Sequence, residues 1–95
     1  MFIALLSYKV PIEEVEKYID RHVEYLNKYY ASGHFMASGR KLPRTGGVIL
    51  AKCSDRRAFE QILSEDPFNQ NNIANYEIIE FMPTMTSEQL KFLMD

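Results

Sequence analysis

One helical stripe with a histidine in it constrains this chain more than any other feature. From Pro11 to Gly33 the sequence reads PIEEVEKYIDRHVEYLNKYYASG. Its apolar residues are Ile12, Val15, Tyr18, Ile19, Val23, Leu26, Tyr29 and Tyr30. Positions 15, 19, 22, 26 and 29 recur at helical spacing, which predicts one amphipathic helix. His22 therefore stands where a leucine is expected. Pro11 suits a first turn, where its missing N–H is not needed. Glu13, Glu14 and Glu16 put negative charge at the positive end of the helix. Glu13–Lys17 and Glu24–Lys28 are i,i+4 pairs in the favourable order. Gly33 can take the left-handed conformation that closes a helix. The rest of the chain reads as a scaffold that buries this helix and brings a partner to His22.

The segments around the helix set the fold. Residues 2–9, FIALLSYK, are a strand. After the helix, 34–40 and 48–53 are two further strands. Pro43 and Gly46-Gly47 between them supply turn chemistry and make an antiparallel hairpin. A second helix is expected from about 55 to 65, capped by Ser54, with Ala58, Phe59, Ile62 and Leu63 on one face. It must stop near Asp66, because Pro67 pushes the residue before it out of the helical region. Residues 68–72 are a polar turn in which Asn72 tolerates a left-handed backbone. Residues 75–83 are a fourth strand, ending at or before Pro83. A final helical turn starts with a capping box, Thr86 to Gln89. The order β-α-β-β-α-β is the split βαβ plan. It predicts an α+β, ferredoxin-like domain over residues 1–95, with a four-stranded antiparallel sheet, its first and third strands in the middle and both helices on one face.

Strand patterning adds an expectation about assembly. A sheet with one wet face alternates apolar and polar residues. Here Phe2, Ala4 and Leu6 oppose Ile3 and Leu5, and Val48 and Leu50 oppose Ile49 and Ala51. In the fourth strand Tyr76, Ile78 and Met82 oppose Ile79 and Phe81. Both faces are apolar, but two helices cover one. A second copy packed sheet to sheet closes the other face and predicts a homodimer. The alternative is that the C-terminal segment folds over it, but nine residues are few for four strands.

Composition narrows the function classes. Net charge is −2 with no block of like charge, which argues against nucleic-acid and polybasic membrane binding. No apolar run approaches the ~18 residues of a membrane span. One cysteine, Cys53, excludes an internal disulfide and fits a reducing compartment. The N-terminal run lacks the basic region and cleavage pattern of a signal peptide. A cytoplasmic location is expected. Cys53 reads as a buried inert thiol. Two histidines and one cysteine without ligand spacing argue against a zinc site. Phosphate-loop and dinucleotide motifs are missing, so no metal and no cofactor is expected.

The chemistry is carried by His22 and the run Glu65-Asp66-Pro67-Phe68. Pro67 fixes the backbone after Asp66, and Phe68 can anchor the loop in the core. An aspartate that accepts from one imidazole nitrogen fixes the tautomer and leaves the other nitrogen free to move a proton. The competing readings are a core histidine satisfied by a carbonyl or carboxylate, and an aspartate that only caps its loop. Arg40, Lys41 and Arg44 cluster beside Ser38-Gly39 and can attract an anionic substrate, or simply make a solvated hairpin. Ser38 can bind a ligand or satisfy the backbone. Tyr30 and His34 are further pocket candidates by proximity to the helix end.

RHVEYL (21–26), ASG (37–39), GGVIL (46–50), EDPF (65–68) and NYEIIEF (75–81) occur in the order and spacing of the YciI-like, or YCII-related, family, and the chain resembles it over nearly its whole length. The resemblance implies a ferredoxin-like fold, a sheet-to-sheet dimer of the dimeric α/β-barrel kind, and a small active site in which His22 and Asp66 match the family's His–Asp pair. A relative in chlorinated-aromatic breakdown is a lyase. Two departures stand out: Arg40 follows Ser-Gly where the family often has proline, and Asn72 stands where it often has glycine. The combined expectation is a cofactor-free acid/base enzyme of lyase, isomerase or hydrolase type acting on a small molecule. His22 is its acid/base and Asp66 its orienter, with Ser38, Arg40 and Phe68 on the substrate. The alternative is a non-catalytic ligand-binding or accessory module using the same cleft.

Overall fold

The computed structural model describes residues 1–94. Its elements run β1 (Phe2–Tyr8), α1 (Ile12–Glu16), α2 (Ile19–Ala31), β2 (Phe35–Arg40), β3 (Gly46–Ala51), α3 (Arg56–Ser64), α4 (Pro67–Gln70), β4 (Ala74–Glu80) and a closing 3₁₀ helix (Glu88–Met94). The strands form one sheet in the order β2-β3-β1-β4, and every neighbouring pair is antiparallel. This is the α+β ferredoxin-like arrangement, with β1 and β3 central. None of the helices is long and apolar enough to cross a membrane among the described residues.

The strand alternation is realised side by side. Phe2, Ala4, Leu6, Ile49 and Ala51 point to the helices and are at most 2% exposed. They meet Val15, Tyr25, Tyr29, Phe59, Leu63 and Phe68 in the core, where Phe2 and Phe59 stack with ring centroids 5.2 Å apart. On the other face Ile3 lies between Leu50 and Ile79, and Leu5 between Val48 and Glu77. Apart from Glu77 these residues are apolar, and they stay partly or largely exposed. The closing 3₁₀ helix buries none of its residues. It is tied by Lys52 Nζ donating to the Phe92 carbonyl at 3.2 Å, and Leu93 and Met94 share a groove with Met1, Cys53 and Phe81. The Thr86 hydroxyl donates to Met94 Sδ, so the expected capping box gives way to a looser turn.

The long helix is two helices. Tyr18, with φ −112° and ψ 1°, leaves the helical region and becomes the N-cap of α2. The break buries Val15 completely while Ile19 turns towards a cleft. Pro11 is the N-cap of α1 rather than a residue of its first turn. The buried stripe of α2 is also rotated from the expected one. Tyr25 and Tyr29 are its buried residues, while Val23 is 44% exposed. Tyr25, outside the expected stripe, can be buried because its hydroxyl donates to the Ile62 carbonyl at 2.8 Å. Asp55, not Ser54, caps α3 by accepting from the Ala58 N–H. Gly33 at φ 87° and Asn72 at φ 55° take the left-handed turns their types allow.

Candidate active site

The site begins where α3 stops. Pro67 forces Asp66 into an extended backbone (φ −65°, ψ 125°) and starts α4 itself. Asp66 is thereby the N-cap of α4, and its Oδ1 accepts from the Phe68 N–H at 3.0 Å. The Asp66 carbonyl accepts from the N–H groups of Asn69 and Gln70 at 2.8 and 2.9 Å, which fixes the turn. The side chain is fully buried. A buried carboxylate must find donors, and two more reach it. His22 Nδ1 lies 2.8 Å from Oδ1, and the Tyr76 hydroxyl donates to Oδ2 at 2.5 Å. The capping role and the histidine contact, read as alternatives from sequence, are both present in one carboxylate.

His22 is held on two sides. Asp66 accepts at Nδ1, which selects the tautomer protonated there. Phe68 stacks against the ring, with centroids 4.0 Å apart and planes 3° from parallel. The side chain keeps 13% exposure. Nε2 has no hydrogen-bond partner among the described residues. The ring forms part of the wall of a cleft of about 230 Å³ between α2 and the β2–β3 end of the sheet. Ile19, Val23, Leu26, Leu6 and Ile49 give the cleft its apolar surface.

Ser38, Arg40 and Phe68 reach this cleft with His22, whereas Asp66 stands behind the histidine. Ser38 Oγ is 2.6 Å from the Tyr30 hydroxyl, so Tyr30 supports the wall without lining it. His34 lies outside the cleft, with its Nδ1 2.6 Å from Ser32 Oγ. Lys41 also stays outside and donates to Ser7 Oγ at 3.1 Å. Arg44 does line it. Glycine is needed at position 46, on the rim: a side-chain carbon there would sit 1.7 Å from the Leu6 carbonyl oxygen.

Tyr76 completes the polar network and Tyr25 is buried beside it with its hydroxyl on the Ile62 carbonyl, and sequence reasoning assigned neither to the site. Burial, then the negative charge of Asp66, pushes the phenols of Tyr25 and Tyr76 up, so both remain neutral donors. Tyr76 was visible as an inward residue of a strand that also turns Ala74 and Ile78 inward. A buried tyrosine hydroxyl asks for an acceptor, and that was the available signal. Cys53 is partly buried, and burial pushes its thiol up, away from the reactive thiolate. Among the described residues no three histidine, cysteine or acidic side chains group as metal ligands.

Among solved structures the chain is similar to 5-chloro-2-hydroxyhydroquinone dehydrochlorinase from Burkholderia phenoliruptrix AC1100, determined in complex with 2,5-dihydroxybenzoquinone. The match has a TM-score of 0.71 and 13% identity and covers 85% of this chain and 93% of that one. At that identity the likeness speaks for a shared fold. No curated protein matches the chain. The family model of the YCII-related domain matches residues 1–82, and the chain belongs to the YCII-related, or YciI-like, family.

Proposed function

We propose that this protein is a cofactor-free acid/base enzyme acting on a small molecule bound in the cleft beside His22. The observation that carries the proposal is the His22 ring itself. One nitrogen is fixed on a buried carboxylate, and the other is unpartnered at the wall of an apolar cleft. In the neutral tautomer, Nε2 holds a lone pair that takes a proton from a substrate O–H or C–H. The resulting imidazolium is stabilised by Asp66 and returns the proton to another atom of the substrate or to a leaving group. Tyr76 and the Phe68 N–H hold the carboxylate still and act as positioning groups. Phe68 fixes the ring plane, and Ser38 and Arg40 contact the substrate. The enzyme named for the structural neighbour, a dehydrochlorinase of a hydroxylated ring, supports proton-transfer chemistry on a compound of this size.

The test is incubation with chlorinated and unchlorinated hydroxyhydroquinones in heavy water. Deuterium incorporation or chloride release that His22→Ala abolishes is the expected result. Ligands that bind in the cleft but leave chemically unchanged would point instead to a binding module.

The homodimer belongs to the same proposal. Ile3, Leu5, Val48, Leu50 and Ile79 form an apolar surface that the closing segment leaves open, and a second copy would cover it. Sedimentation at micromolar concentration is expected to give a dimer, and Ile3→Lys a monomer. A monomeric wild-type chain would remove this part.

A further inference from the structure

The cleft carries a charge asymmetry that acid/base chemistry does not require. Its permanently charged lining residues are Arg40 and Arg44, and no carboxylate among the described residues lines it. Arg40 ends β2 and is exposed. Arg44, on the β2–β3 loop, is held closer, with its side chain 30% exposed. One of its nitrogens, Nη1, lies 3.4 Å from Glu16 Oε1 at the end of α1. A charge-assisted contact of good geometry is shorter, about 2.7–2.9 Å. The Glu16 side chain is 60% exposed, and an ion pair in that setting contributes little. A guanidinium offers five donors in a planar fork that suits a carboxylate. Glu16 therefore leaves most of Arg44's capacity unused.

We propose that the cleft selects a small molecule with an apolar ring or chain and one carboxylate or phenolate, that Arg44 is the anion-recognising residue, and that Glu16 holds Arg44 until the ligand's anion replaces it. This rests on the reading of the cleft as the substrate site and names its substrate class. The apolar body lies against Ile19, Val23, Leu26 and Ile49, where water is displaced and the ionic contact strengthens. Arg40 adds positive potential at the rim and draws anions towards the mouth. The exchange of one carboxylate for another on Arg44 is nearly balanced in charge, so the cost of releasing Glu16 is small.

Benzoate and its neutral isostere benzamide serve as probes, titrated against the whole protein by NMR with the Val23, Leu26 and Ile49 methyl signals as cleft reporters. Benzoate is expected to bind at least about tenfold more tightly than benzamide. Arg44→Gln should remove most of that preference with little change for benzamide, and Arg44→Lys should restore part of it, keeping charge without the fork. Glu16→Gln should tighten benzoate by about threefold, because the competitor is gone. Equal affinities, no saturable benzoate binding, or equal loss for both probes in Arg44→Gln overturns the assignment. An unchanged or weaker benzoate affinity in Glu16→Gln overturns the exchange. These readouts need no turnover. His22-dependent turnover of neutral compounds without benzoate preference would sink this inference alone. Benzoate preference without turnover of any compound would sustain it and sink the enzyme reading.

Discussion

Two contacts to carboxylates join α2 to the end of α3, and both measure 2.8 Å. Lys28 reaches Glu65, and His22 reaches Asp66, the next residue along. The distance is the same, but the surroundings differ. The Lys28 and Glu65 side chains are 63% and 42% exposed; those of His22 and Asp66 are 13% and 0%. Water screens the first pair and competes for its hydrogen bonds. The second pair has neither relief, so Asp66 recruits the Phe68 N–H and the Tyr76 hydroxyl, and His22 is clamped by the Phe68 ring. What separates a site from a surface contact here is the set of further partners that burial makes compulsory.

The largest expected effect comes from breaking the buried pair. If His22 moves the proton, His22→Ala should lower turnover by about 10²–10⁴-fold, the usual contribution of general acid/base catalysis. Asp66→Asn keeps the shape but cannot accept from all three donors, so one of them faces an amide NH₂. It should lower turnover strongly as well. The double variant should be little worse than the worse single one, because the residues act as a unit. Losses that simply add in a double-mutant cycle would mean that the two side chains work independently, and the comparison would lose its functional half.

A smaller effect is expected from Tyr76→Phe, which removes one donor from Asp66 and leaves the ring. The lost hydrogen bond to a buried charged group should cost about 1.5–3 kcal/mol in urea unfolding. As a positioning change it should also alter the pH profile of turnover, which a purely structural role would not. The alkaline limb offers a second check. The phenols of Tyr25 and Tyr76 have pKa values raised above the ordinary 10.0, first by burial and then by Asp66. A raised folded-state pKa contributes stability that is full below the unfolded value and is lost as pH rises beyond it. The wild type should therefore lose stability above about pH 10, where unfolded tyrosine ionises, and Tyr76→Phe and Tyr25→Phe should each flatten that slope.

These residues also mark how far sequence reasoning reached. Strand order was legible from alternating apolar positions, and His22 and Asp66 stood out as a polar residue in a helical stripe and an aspartate locked by the proline after it, while their pairing was implied by the family resemblance. Ser38, Arg40 and Phe68 reach the cleft for the same reason, since their strand and turn positions aim them there. The break at Tyr18 was hidden, because every residue from Ile12 to Ala31 is compatible with helix, and burying Val15 while turning Ile19 to the cleft is a tertiary demand. The hydroxyl partners of Tyr25 and Tyr76, the Ile62 carbonyl and Asp66, were hidden because nothing local to either tyrosine singles out its acceptor. The closing helical turn was legible, but its capping box was not, because Thr86 reaches Met94 Sδ instead of the Gln89 N–H.

The smallest effect should come from the exposed pair, and it sharpens the contrast. Glu65 has its pKa lowered from the ordinary 4.5, chiefly by the hydrogen bond from Lys28. A depressed carboxyl pKa contributes stability that is present above the unfolded value and is lost as pH falls through the folded one. The sign is that expected of an acid-sensitive contact, but solvent reaches both partners. Screening leaves little of the shift as stability. Glu65→Gln should leave the urea midpoint at neutral pH unchanged within error, and salt should weaken what contribution there is. It should leave ligand binding in the cleft unchanged too, since Glu65 does not line it. A loss in Glu65→Gln as large as that in Asp66→Asn would mean that proximity alone sets the strength of these contacts, and that burial of the neighbouring pair has no special consequence.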